Sequence, residues 1–352
     1  MVDKIKVSIV GAPGYVATEL LRLLGRRKDI EIVEVVGRSA AGQPLGKVVP
    51  SLAPLGLTVK GELENPGAAD FVFLSLHAGE SARLTAEILE RTEHTKIIDM
   101  SADFRLRDLE AYEKWYGGRH PAPYLMPGVV YGLPELYRSV YKSSTRIVAN
   151  PGCYPTCSSL ALAPALKSKI VEPHVVINAL SGTSGAGRGL KQNLHFAEMH
   201  DSSSAYGLDG HRHNVEIEQI LSDVHGSPVV AMFVPHLIPV SRGMLATCSA
   251  PLKDLWIMEN KDPKAAVREM YKQFYAEDEF VRVVDTPPTT KEVFGSNYCY
   301  IYPTVDLNSY RLLVVSVLDN LVKGAAGEAV QSMNILAGLP EATGLDGLGL
   351  YP

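Results

Sequence analysis

The segment Ile5–Val10 is apolar and rich in β-branched residues, and it runs directly into Gly11-Ala12-Pro13-Gly14-Tyr15-Val16-Ala17 and then Glu19-Leu20-Leu21-Arg22-Leu23-Leu24. In order, this reads as a strand, a glycine turn and a helix with a buried apolar face. The alternation continues, with strands expected at 30–36, 71–76, 96–100 and 146–149 and a helix at 81–90. Strands and helices alternating at this spacing pair as a parallel sheet with helices on its faces. A Rossmann-type α/β domain is therefore expected for the first part of the chain. Residues 106–142 carry Tyr112, Tyr116, Tyr124, Tyr131, Tyr137 and Tyr141 among several prolines. That stretch reads as an irregular excursion whose tyrosines wedge a loop onto the domain.

Beyond about residue 155 the pattern changes to one helix, 156–169, followed by strands at 175–180, 229–234, 244–251, 281–284, 298–304 and 311–317. Many strands with few helices predict a mixed or antiparallel sheet, hence a second, α+β domain, and 352 residues are enough for two cores. The small-residue run 324–331 predicts a helix that packs closely on another element. A formal charge of -5 leaves no basic excess for nucleic acid or an anionic membrane. No apolar run approaches the roughly 18 residues of a membrane span. The first residues show neither a signal-peptide core nor a cleavage site, so a cytoplasmic chain is expected. Cysteines at 153, 157, 248 and 299 lack metal-site spacing and suit free thiols in a reducing compartment. His195 and His200 are not the i, i+4 pair of a zinc helix, and no metal is expected.

Three places carry chemistry. The turn with Gly11, Pro13, Gly14, Tyr15 and Val16 has the form G-x-x-G-x-x-A, in which glycines admit a pyrophosphate and the helix start attracts its charge. Where the second strand ends, an NAD site would present a carboxylate, but this chain has Arg38 and Ser39, which points to the 2'-phosphate of NADP(H). The second place is Asn150-Pro151-Gly152-Cys153-Tyr154-Pro155-Thr156, with a cysteine after a strand and at a helix start, where backbone N–H groups favour thiolate and can hold an oxyanion. Cys157, Cys248 and Cys299 read as buried fillers. The third is Gly210-His211-Arg212-His213-Asn214, which supplies a histidine for proton transfer. His211 is preferred because His213 adjoins the expected helix cap Asn214. The loop Ser181-Gly182-Thr183-Ser184-Gly185-Ala186-Gly187-Arg188 offers hydroxyls, N–H groups and an arginine to substrate or cofactor.

These motifs, with Ser101-Ala102-Asp103-Phe104-Arg105 and Asp319-Asn320-Leu321-Val322-Lys323-Gly324, occur in one order along nearly the whole chain. Together they resemble the N-acetyl-gamma-glutamyl-phosphate reductases of arginine biosynthesis, which are related to aspartate-semialdehyde dehydrogenases. The resemblance implies an NADP-binding domain of residues 1–152 and 321–352 with a returning C-terminal helix, and a catalytic and oligomerisation domain of residues 153–320. It implies Cys153 as nucleophile and His211 as acid/base in the reduction of an acyl phosphate to an aldehyde through a thioester. It further implies Arg105 for the acyl phosphate, Asn150, Tyr154 and Arg188 as substrate contacts, and Ser181, Gly182 and Asn320 beside the cofactor. The chain departs from the family's usual serine at Pro13. Gly152-Cys153-Tyr154, where lysine-pathway relatives acting on a carrier-linked aminoadipyl phosphate show Gly-Cys-Asn, favours the arginine pathway. A related aspartate-semialdehyde dehydrogenase, and a dinucleotide sensor that has lost turnover, are the other readings; a sensor needs no nucleophile.

Overall fold

A computed structural model describes residues 4–351. In chain order its strands and α-helices are β1 (Ile5–Val10), α1 (Tyr15–Leu24), β2 (Ile30–Val36), α2 (Leu45–Val48), β3 (Val59–Lys60), β4 (Phe71–Leu74), α3 (Glu80–Arg91), β5 (Lys96–Asp99), α4 (Leu109–Tyr116), β6 (Val129–Tyr131), α5 (Pro134–Tyr137) and β7 (Ile147–Ala149). Then come α6 (Cys153–Lys167), β8 (His174–Ser181), α7 (Phe196–Met199), β9 (Ser204–Ala205), α8 (Arg212–His225), β10 (Val230–Leu237), β11 (Met244–Pro251), α9 (Asp254–Glu259), α10 (Pro263–Phe274), β12 (Val281–Val283), β13 (Cys299–Asp306), β14 (Arg311–Leu318) and α11 (Gly327–Leu336). The described residues divide into two compact units, one of residues 4–151 and 325–346, the other of residues 152–324 and 347–351.

The first unit holds a seven-stranded sheet of order β3-β2-β1-β4-β5-β7-β6. Every pairing in it is parallel. Its apolar strands are buried because helices cover them: Val10, Val36, Val72, Leu74 and Ile97 share one core with Ile88 of α3. The region 106–142 is less irregular than expected. It contains helix α4 and strand β6, and β6 pairs with β7 as the sheet's last strand. Helix α11 packs on α1 and β5 of this unit.

The second unit holds a mixed seven-stranded sheet of order β12-β13-β14-β11-β8-β10-β9. Its long strands alternate buried and more exposed residues, as in Cys299–Asp306, so one face is the core side. Helix α6 packs on that side against α8, α10, β11 and β14. It begins at Cys153, three residues before the start the sequence predicts. Pro155 is compatible with this because it sits in the first turn, where no intrahelical N–H bond is needed. Pro164 lies inside the helix and cannot donate to the carbonyl of Leu160. The Tyr275 hydroxyl donates to that carbonyl at 2.5 Å, and Tyr271 does the same for Ala161 at 2.8 Å. Two tyrosines from the α10 region thus satisfy the loosened helix.

Residues 321–324 and 347–351, expected with the first unit, group with the second; residue 352 lies outside the described residues. At the C-terminal end the cause is local: the Leu350 N–H donates to the Phe294 carbonyl at 2.8 Å. Gly349 lies so close to Glu292 that a Cβ would sit 2.4 Å from its carbonyl oxygen.

Candidate active site

Within the first unit, the turn after β1 is shaped by close backbone approach. Gly11 has φ +119°. A Cβ there would lie 2.2 Å from the Ser75 carbonyl oxygen, and one on Gly37 would lie 1.6 Å from that of Ala12. Only glycine fits either position. The N–H groups of Gly11 and Ala12 both donate to the Val36 carbonyl at 2.9 Å, which ties the turn to the end of β2. Pro13 follows through a cis peptide bond. Helix α1 starts at Tyr15 after Gly14, an N-cap residue with no side chain to offer. Its first-turn N–H groups suit an anionic ligand. Tyr15 is exposed and Val16 half-buried. Past β2, Arg38 and Ser39 open a short 3-10 turn, both exposed, with Arg38 Nη1 3.2 Å from Glu80 Oε1. A glycine turn, an uncapped helix start and an exposed cation at the end of β2 suit a dinucleotide with a 2'-phosphate.

The Ser101 to Arg105 motif organises the same unit. Asp103 is fully buried and accepts from the N–H groups of Gly79 at 2.7 Å and Ala82 at 2.8 Å, so it caps α3, and the Tyr112 hydroxyl donates to it at 2.7 Å. Arg105 is buried; its Nε donates to the Asn150 carbonyl and its Nη2 to that of Met100, both at 2.8 Å. Arg105, expected as a phosphate contact, ties the end of the segment at Asn150 to Met100 through these two bonds. The Asn150 amide nitrogen donates to the Ala325 carbonyl at 3.2 Å. Burial pushes the carboxyl of nearby Asp99 up to about 6 against the opposing hydrogen bond from Ser81.

Within the second unit, Cys153 is the first residue of α6, and Gly152, its N-cap, has no side chain of its own to offer. The Gly152 N–H instead donates to the fully buried carboxylate of Glu216 at 3.0 Å. Gly324 packs against the cysteine, since a Cβ there would lie 2.8 Å from the Cys153 Cβ. Cys157, Cys248 and Cys299 are buried. Burial, aided by the neighbouring Cys299 thiol, pushes Cys157 well above the ordinary thiol range, and burial alone raises Cys248. Both thiols are buried, as expected of fillers.

His211, not Asn214, is the N-cap of α8: its Nδ1 accepts the His213 N–H at 3.0 Å. Its ring meets Tyr154, Tyr206, Phe233 and His213 edge to face, with centroids 6.0, 5.6, 5.5 and 4.9 Å away. Burial pushes the imidazole down to about 4, and the adjacent Arg212 guanidinium adds to the effect. The Tyr206 hydroxyl donates to that of Tyr154 at 3.1 Å, and Tyr154 donates to the His236 carbonyl at 3.3 Å.

The Ser181–Gly182 loop is laced to residues 240–243. Gly182 and Thr183 donate to the carbonyls of Gly243 and Val240 at 2.9 Å. Asn320 bridges the two loops, accepting from the Gly243 N–H at 2.8 Å and donating to Ser184 Oγ at 2.9 Å. Arg242 in that loop lies 3.6 Å from the buried carboxylate of Asp319. Arg188 is exposed. Cys153, Tyr154, Ser181, Gly182, His211 and Asn320 thus share the second unit, while Gly11, Pro13, Gly14, Tyr15, Val16, Arg38, Ser39, Arg105 and Asn150 share the first. The sequence shows Glu216 only as an early residue of the helix after His213, Asp103 only as a member of the Ser101 to Arg105 motif, and Arg242 not at all; their roles were hidden because their partners lie 64, 21 to 24 and 77 positions away.

Residues 6–144 match the family described as semialdehyde dehydrogenase, NAD binding domain, and residues 153–320 the semialdehyde dehydrogenase, dimerisation domain. An N-acetyl-gamma-glutamyl-phosphate reductase from Symbiobacterium thermophilum is 47% identical, with 99% of each chain covered. One from Desulforamulus reducens is 44% identical over 99% of this chain and 100% of its own. The chain belongs to the N-acetyl-gamma-glutamyl-phosphate reductase family. The fold of this reductase family member also matches solved aspartate semialdehyde dehydrogenases. That of Vibrio cholerae, complexed with ASA, has TM-score 0.68 at 16% identity, with 96% of this chain and 99% of that one covered. That of Candida albicans, with NADP, has TM-score 0.63 at 16% identity, with 95% and 99% covered.

Proposed function

We propose that this chain reduces N-acetyl-gamma-glutamyl phosphate with NADPH, giving N-acetylglutamate 5-semialdehyde and phosphate in arginine biosynthesis. The observation that carries the reading is Cys153 at the first position of α6, with its N-cap held by Glu216, in a chain of this family. A thiolate there sits at the N-terminal end of α6, where first-turn N–H groups favour it over the thiol and can also hold an oxyanion beside it. Its attack on the acyl carbon displaces phosphate and leaves a thioester. Bound NADPH supplies the hydride that takes the thioester to the aldehyde level. Residues 11–16 with Arg38 and Ser39 hold the dinucleotide, and Ser181, Gly182 and Asn320 are assigned to its reactive end. Tyr154 and Arg188 are assigned to the acylated substrate, and His211 to the oxygen of the reacting carbonyl.

The relatives' name supports the arginine-pathway substrate over the aspartyl and carrier-linked alternatives. Assembly as a homo-oligomer is supported by the dimerisation-domain match and by exposed Val230 and Met232 on β10. Among the described residues no helix is long and apolar enough to cross a membrane. The reaction is tested in reverse, with N-acetylglutamate semialdehyde, NADP and phosphate, by following NADPH absorbance. A site built for a neutral N-acetyl amide leaves the free ammonium of aspartate semialdehyde poorly solvated. Equal kcat/KM for the two aldehydes rejects the assignment.

A further inference from the structure

Asp319 directly follows β14 in the second unit and is fully buried, and the reaction proposed above gives it no part. A buried carboxylate is costly unless donors or a cation face it. Here both of its oxygens are met. Oδ1 accepts the N–H groups of Leu321 at 2.9 Å and Val322 at 3.3 Å. Oδ2 accepts the Gly295 N–H at 2.8 Å and lies 3.6 Å from Arg242 Nη1.

Each oxygen leads to a different part of the candidate site. On the Oδ1 side, the Asp319 carbonyl also accepts from Val322 at 3.1 Å and Gly324 at 3.0 Å, which closes residues 319–324 into a turn. The turn ends at Gly324, where a Cβ would lie 2.8 Å from the Cys153 Cβ and 3.3 Å from its Cα. Its backbone is therefore pressed against the first residue of α6. On the Oδ2 side, Arg242 precedes Gly243, whose N–H is held by Asn320, and Asn320 in turn donates to Ser184. Gly243 has φ +107°, and a Cβ on it would lie 2.8 Å from the Thr290 Cβ. The loop carrying Arg242 thus rests on Thr290, five residues before the Gly295 that reaches Oδ2.

We propose that Asp319 is a positioning residue for the reaction, a charged carboxylate that holds the turn against Cys153 with one oxygen and the Arg242–Gly243 loop with the other. The thiol and the loops of Ser181, Gly182 and Asn320 then keep a fixed spacing. This role rests on the reductase reading, which assigns those loops to the reactive end of the dinucleotide. The need for a carboxylate follows from the donors. An ionised carboxylate only accepts, so both of its oxygens suit the groups they meet. An amide of the same shape accepts at one end and donates at the other. Asparagine must therefore set its NH2 either against the Leu321 and Val322 N–H groups or against the Gly295 N–H and the Arg242 guanidinium.

The test is the reverse assay on the full-length protein, with kcat expressed per Cys153 titrated by iodoacetamide. A residue that only supports the fold changes the number of reactive thiols and not the turnover of each. In Asp319→Asn, kcat per thiol should fall by about tenfold to hundredfold, the scale of an error of about 1 Å in a reacting group, with both KM values within about threefold of wild type. A smaller fall in kcat, or a loss confined to KM, overturns the proposal. If Asp319→Asn does not fold, Arg242→Met carries the test, because that side chain is partly exposed and the N–H groups on Asp319 are left in place. Its kcat per thiol should fall at least about fivefold; an unchanged kcat, or a loss only in KM for the aldehyde, overturns the proposal. A wild type that does not oxidise N-acetylglutamate semialdehyde rejects the reductase reading, and the positioning role with it. An active wild type with an equally active Asp319→Asn rejects the positioning role alone.

Discussion

Replacing Glu216 tests whether the nucleophile is placed from a distance. Its fully buried carboxylate accepts the Gly152 N–H at 3.0 Å, one residue before Cys153, and Gly152 caps α6 without a side chain. Glu216→Ala leaves that amide buried with no acceptor. Hydrogen bonds to a charged group contribute roughly 1.5–3 kcal/mol, and an orphaned buried donor costs about 1–3 kcal/mol. The structure therefore predicts a loss of about 2–3 kcal/mol, read as a lower urea midpoint at constant m. Glu216→Gln keeps a carbonyl acceptor and should lose roughly half as much. The larger effect should be on chemistry, because an error of about 1 Å in a reacting atom can cost 10²-fold. Cys153 is partly accessible while the other three thiols are buried, so iodoacetamide should report on it selectively. Alkylation rate and kcat should both drop in Glu216→Ala, with KM for NADPH unchanged. Unchanged kcat and alkylation in a destabilised Glu216→Ala would show that the bond only supports the fold. An unchanged urea midpoint would refute the energetic argument itself.

Cys153→Ser should lower turnover by at least about three orders of magnitude while NADPH binding survives, and Cys157→Ser should change little; near-normal activity in the first ends the covalent mechanism. Arg38→Asp should weaken NADPH binding about ten- to hundredfold with NADH nearly unaffected, as the ratio of the two KM values will show. Because the exposed Arg38–Glu80 pair contributes at most about 1 kcal/mol, Glu80→Gln should leave stability unchanged and tighten NADPH binding by a few-fold; weaker binding would mean the carboxylate orients the guanidinium. For Asp99, burial raises the folded-state value from 3.8 to about 6, so the folded protein holds this proton more tightly than the unfolded chain. Stability from this group is therefore lost as pH rises from about 4 through about 6, by on the order of 3 kcal/mol. Urea midpoints should show wild type losing that much relative to Asp99→Asn across the interval, and parallel curves would contradict it.

The parts of the fold visible in the sequence are those encoded within one strand–turn–helix stretch. Ile5–Val10, Ile30–Val36 and Met244–Pro251 begin and end where apolar patterning puts them. The two-residue strand β3 carries no such pattern, and β6, though made of the strand-formers Val-Val-Tyr, is only three residues long among prolines and tyrosines; each shows as a strand only through pairing with its neighbour. Helix α6 starts early because Pro155 looks like a breaker on paper yet is harmless in a first turn. The dinucleotide turn and the cysteine were legible for the same reason, since glycine spacing and a residue at a helix start are local facts.

The control of the cysteine was not local. His211 and Glu216 lie five positions apart at the beginning of α8, one as its N-cap and the other in its second turn. From there one side chain reaches the Gly152 amide before the nucleophile, and the other packs on Tyr154 just after it. Neither contact leaves a signature in the sequence of α6. The start of α8 thus touches both residues that flank Cys153, and its own cap is a ring nitrogen of His211. A helix start is a place where backbone N–H groups lack partners, and here the His211 side chain accepts one of them. The same logic explains why Asn214, the better cap by residue type, is passed over. A cap there would begin the helix three residues later and leave His211 with no reason to hold one ring nitrogen bare.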